Sequence, residues 1–60
     1  LTHHSLVYES LRLLALSAFY KGEYHESANR FQSMLERKDL ALLGGEIYEL
    51  KLWKRRAHTH

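Results

Sequence analysis

Gly22, Gly44 and Gly45 are the only backbone breakers in a 60-residue chain that contains no proline. A chain so seldom interrupted, with its apolar residues at helical rather than alternating spacing, divides into three helical stretches and leaves nothing that reads as strand. The expected fold class is all-α. The length allows one small domain, which on folding alone buries only roughly 60% of the surface its unfolded chain exposes. With no cysteine, neither a disulfide nor a Cys-based zinc site can reinforce it, so the core, or a neighbour, has to supply the stability. The first residue is Leu rather than Met, and the chain is expected to be part of something longer.

In the first stretch Val7, Leu11, Leu14, Ala15 and Ala18 recur at the spacing of one helix face. Leu6, Leu13, Leu16 and Tyr20 form a second apolar row on a different side. A helix apolar on two sides expects packing partners on two sides. Thr2 or Ser5 is expected to cap its start. In the second stretch Tyr24, Ser27, Ala28, Phe31, Met34 and Leu35 form a single buried stripe, with His25, Glu26, Asn29, Arg30, Gln32 and Arg37 elsewhere. Gly22 lies between the two, where a residue without a Cβ can take a left-handed conformation and end the first helix. So short a link makes the helices antiparallel neighbours.

The third helix is expected from about Glu46 to Arg56, with Gly44-Gly45 as a break at or before its start and a frayed "AHTH" end. Leu43, Ile47, Leu50 and Lys54 share one face, and Tyr48, Leu52 and Trp53 lie elsewhere. Glu46 and Glu49 near its beginning and Lys54, Arg55 and Arg56 near its end suit the helix dipole. The formal charge of +2 resides here. Residues 1–39 balance Arg12, Lys21, Arg30, Arg37 and Lys38 against Glu9, Glu23, Glu26, Glu36 and Asp39, whereas residues 40–60 set Lys51, Lys54, Arg55 and Arg56 against Glu46 and Glu49.

The hairpin of residues 1–39 resembles, along Leu11 to Asp39 and so over about half the chain, one tetratricopeptide repeat, a helix-turn-helix unit of about 34 residues that stacks into a superhelix. Leu11, Leu14 and Ala15 match the family's large, leucine and small positions in the first helix. The turn "KGEY", with Gly22 and Tyr24, is similar to the family's "xGDY". Ser27 stands where a small residue lets the helices close up, and Phe31 matches the aromatic one turn later. The sequence departs from the pattern at Ala18, usually Tyr, at Met34, usually small, and at Asp39, usually proline. Residues 40–60 do not continue the repeat, because Gly45 and Glu49 would fall at its large and small positions. They read instead as a capping or linker helix.

The resemblance implies an α-solenoid fragment whose function is recognition of a protein partner or of neighbouring repeats, in a subunit of a larger assembly. Leu13, Leu16, Phe19, Tyr20 and Trp53 are the expected partner-binding residues, with self-association as a further outcome. Some members of the family clamp acidic C-terminal peptides through a basic residue and an Asn one turn apart. The corresponding positions are Arg12 and Leu16, and Leu16 cannot donate the hydrogen bond.

Other chemistries leave weaker marks. His3-His4 and His58-x-His60 do not share a helix face as an i, i+4 pair does, so no metal site is expected. Glu23 and Glu26 suit the first turn of the second helix better than acid-base work, which needs an enclosed cleft. No catalytic triad, phosphate loop or HExxH motif occurs. Neither catalysis nor a cofactor is expected. The rival reading is a polyanion-binding module in which Lys51, Lys54, Arg55 and Arg56 meet phosphates while Trp53 stacks on a base. No run is long and apolar enough to span a membrane, and an intracellular location, cytoplasm or nucleus, is expected from the absence of cysteine.

Overall fold

The computed structural model describes the backbone of residues 2–60 and the side chains from residue 6 onward. The caps expected of Thr2 or Ser5, and the His3-His4 pair, lie outside the described side chains. Among the described residues the chain is all-helical: α1 (Thr2–Tyr20), α2 (Tyr24–Glu36) and α3 (Gly44–His58), with a short 3-10 turn, Lys38–Leu40, before α3. None of these helices is long and apolar enough to cross a membrane.

α1 ends as its glycine requires. Gly22 has φ +86°, its N–H donates to the Phe19 carbonyl at 3.0 Å, and the Glu23 N–H reaches back to the Ala18 carbonyl at 2.9 Å. These two bonds satisfy carbonyls that the last helical turn leaves open, the pattern of a Schellman cap. The turn sends α2 back along α1, and the closest approach falls at small residues. Ala15 and Ser27 are both fully buried, and the Ser27 hydroxyl donates to the Ala15 carbonyl at 2.9 Å. α2 buries Ser27, Ala28, Phe31 and Met34 as its periodicity predicts.

α2 is the central element, with α1 and α3 each packed against it. α3 also runs antiparallel to α2, since Gln32 meets Lys54, Phe31 meets Trp53 and Tyr24 meets His60. The core joins all three helices through Tyr8, Ala15, Phe31, Met34, Leu40 and Leu50, with Leu11, Leu16, Leu35, Leu42 and Trp53 packed around it.

Four sequence expectations need correction. Gly44 and Gly45 open α3 instead of breaking it. The first turn of a helix needs no intrahelical N–H partner, and the Glu46 carboxylate accepts the Leu43 N–H at 2.9 Å. The reversal occurs earlier, where Ala41 takes the left-handed conformation at φ 48°. The "AHTH" end is not frayed. α3 continues to His58, Ala57 is buried, and His60 stacks on Tyr24 at 4.1 Å. Leu14 is half exposed, and Val7 also faces outward, because α1 turns Tyr8, Leu11, Ala15 and Ala18 toward its neighbours. Leu43 does not share the buried face of Leu50, being 68% exposed.

Candidate interaction surface

Ala15 and Ala18 are small enough to let α1 close on α2, and this choice of inner face fixes what the other side of α1 presents. Leu6, Val7, Leu13, Leu14 and Tyr20 are exposed at 65, 40, 52, 52 and 73%. On a helical wheel they flank Ser10 and Ser17, so two apolar ridges border a row of small polar residues. Of the charged residues between Leu6 and Tyr20, Arg12 lies off this strip and Glu9, one turn from both Leu6 and Leu13, borders it, and the two are paired to each other. Between Leu6 and Tyr20 the strip itself carries no charge over about four turns, and Lys21 follows on the same side.

The expected partner-binding residues separate into two groups. Leu13 and Tyr20 lie on the exposed face. Leu16 packs against the core, and Phe19 and Trp53 are half buried in an aromatic cluster. Phe19 is its hub, with edge-on contacts to Tyr20 at 5.4 Å, Tyr24 at 5.2 Å, Trp53 at 5.3 Å and His60 at 5.4 Å. Edge-to-face pairs at such distances are favourable beyond the area they bury. The cluster joins the ends of all three helices, so Phe19 and Trp53 act first as packing. Sequence periodicity placed Leu6 in this outer row but assigned Val7 and Leu14 to the inner one.

The basic end of α3 is less concentrated than its sequence suggests. At 3.6 residues per turn Lys51, Lys54, Arg55 and Arg56 spread over roughly 200° of the helix circumference. Lys54 donates to Gln32 Oε1 at 2.7 Å. Arg56 lies 5.1 Å from the Trp53 ring centroid, and the same indole stacks on Phe31 with an interplanar angle of 14°. Lys51 and Arg55 are exposed.

The remaining charges are mostly satisfied locally. Glu26 pairs with Arg30 at 2.9 Å one turn on in α2, and Arg37 with Asp39 at 2.6 Å. Hydrogen bonding to Asp39 raises the Arg37 pKa, and the same bond lowers that of Asp39. Arg12 is held by Glu9 and lies 3.8 Å from Glu49 of α3, and the hydrogen bond to Glu9 raises its pKa. Tyr8, which sequence reasoning missed, donates to Glu49 at 3.4 Å. Burial, followed by the negative charge of Glu49, pushes its phenol up to about 12. Its signal was present in the sequence, since Tyr8 precedes Leu11 and Ala15 at i, i+3 and i+7.

Among the described residues this geometry defines a small all-α unit of three helices with an apolar face of α1 turned to solvent. Compared with known proteins, the chain matches no family model, no curated protein and no solved structure.

Proposed function

We propose that the chain is a protein–protein interaction scaffold, a tetratricopeptide-like hairpin followed by a capping helix, which works by offering the outer face of α1 to another protein. The observation that carries this reading is the set of five large apolar side chains exposed on one side of α1 with no charge among them. Exposed apolar side chains gathered on one face, here as two ridges beside a serine row, are often functional as interaction sites. The hairpin packing at Ala15 and Ser27, the left-handed Gly22 and the buried Phe31 support the likeness to the repeat. In this reading α3 covers α2 and leaves α1 as the open side. The unit holds and presents a surface and performs no catalysis.

The basic end of α3 supports polyanion binding less well, because Trp53 already stacks on Phe31 and the four cations do not share one face. A photoreactive phenylalanine analogue in place of Leu13 or of Arg55, introduced in the cell that makes the chain, tests the assignment. The expected result is a protein adduct from position 13. Loss of the position-13 adduct together with nucleic-acid adducts from position 55, reduced by salt, would transfer the function to the basic end.

A further inference from the structure

We propose that the partner of the outer face of α1 is a second copy of this chain, packed antiparallel about a two-fold axis close to Leu13. The inference rests on the scaffold reading above and names its partner.

The pattern of the face is self-complementary. Leu6, Ser10, Leu13, Ser17 and Tyr20 follow one another at alternating intervals of four and three, the spacing of a helix-helix seam. Val7 and Leu14 form the flanking ridge. Turning a second α1 end for end about Leu13 sets Leu6 opposite Tyr20 of the second copy, Leu13 beside its counterpart and Ser10 near Ser17. Leu6, Leu13 and Tyr20 then each have an apolar partner, while the serines, small and already able to face water, let the helix backbones approach. This is the isologous contact that two-fold symmetry demands.

Two further observations favour a copy over a charged partner. α1 has no acidic residue in its first turn and no basic residue in its last, Lys21 following directly after it, so the N-terminal end of its dipole meets no countercharge from within the helix. Antiparallel packing brings the positive end of each helix beside the negative end of the other. α3, by contrast, supplies Glu46 at its start and Arg55, Arg56 and His58 at its end. Within the strip from Leu6 to Tyr20 a strongly acidic or basic partner would find no countercharge, Glu9 at its edge being paired to Arg12 and Lys21 lying beyond its end. The area is also sufficient. Complete covering of the five side chains, 40–73% exposed, in both copies brings the buried surface to roughly 1,000 Å², the lower bound for a specific interface. An interface at that bound makes a weak, transient dimer.

The chain has no cysteine, so single-cysteine variants report the geometry without background. On mild oxidation Leu13→Cys is expected to give a disulfide dimer, Leu6→Cys alone is not, and a mixture of Leu6→Cys with Tyr20→Cys gives the mixed dimer. Sedimentation of the unsubstituted chain should show mass rising with concentration, and Leu13→Glu should weaken the association at least tenfold while leaving the helical circular dichroism intact. Self-linking of Leu6→Cys as readily as Leu13→Cys would replace this arrangement by a parallel one and overturn the proposal. A helical monomer at every concentration, with the position-13 photoprobe joined to a different protein, would overturn the dimer and leave the scaffold reading standing. A monomer whose photoprobe joins no protein would remove both.

Discussion

Tyr8 is the residue whose chemistry depends most on the fold. Its phenol is raised to about 12 from an ordinary value of 10.0, first by burial and then by Glu49. Between these two values the folded chain holds a proton that the unfolded chain releases. The associated stability is complete below pH 10 and is lost as pH rises toward 12. An alkaline titration that follows tyrosinate absorbance beside helical signal should show one tyrosine ionising together with unfolding, and Tyr8→Phe should flatten that limb. An unchanged limb in the variant would remove Tyr8 from the account. Ala15 and Ser27 define the tightest contact at the same scale. Ala15→Leu forces bulk between α1 and α2 and is expected to cost at least ~1–3 kcal/mol in thermal or denaturant melts. Ser27→Ala loses one buried hydrogen bond, worth about 1 kcal/mol.

At the scale of elements, the contrast lies between the glycine that is needed and the two that are not. Gly22 occupies φ +86°, and no neighbour lies within 4 Å of the place a Cβ would take, so Gly22→Ala is expected to cost about 1–2 kcal/mol through backbone strain alone. Gly44 and Gly45 lie in the first turn of α3 with equally open surroundings and no positive φ. Alanine at either position should raise the melting temperature, by up to about 1 kcal/mol of stability each. Ala41 holds the left-handed turn that a glycine would accept more easily. These differences also mark what could and could not be read from the sequence. The stripe of α2 and the end of α1 were legible because one period and one glycine each had a single solution. α1 had two apolar rows, and only the close approach of Ala15 and Ala18 to α2 decides which faces inward. The glycine pair misdirected the start of α3, and Leu40, buried by a three-residue turn, belongs to no periodic segment. The candidate surface was half legible for the same reason: Leu13 and Tyr20 were found, and Val7 and Leu14 were placed inside.

For the whole molecule, a core of few large side chains coexists with five apolar side chains left open on α1. A small domain gains little margin from its own core, so covering that face adds stability as well as recognition. Association by this route should withstand added salt, because apolar burial is not screened, whereas contacts through the basic end of α3 should weaken with it. Sedimentation velocity on the intact chain over a concentration and salt series, with Leu13→Glu and an Arg55→Ala, Arg56→Ala variant alongside, separates the two most directly. The account predicts salt-tolerant association that Leu13→Glu abolishes and the arginine substitutions preserve. Association that disappears with salt or with the two arginines, and is untouched by Leu13→Glu, would contradict it.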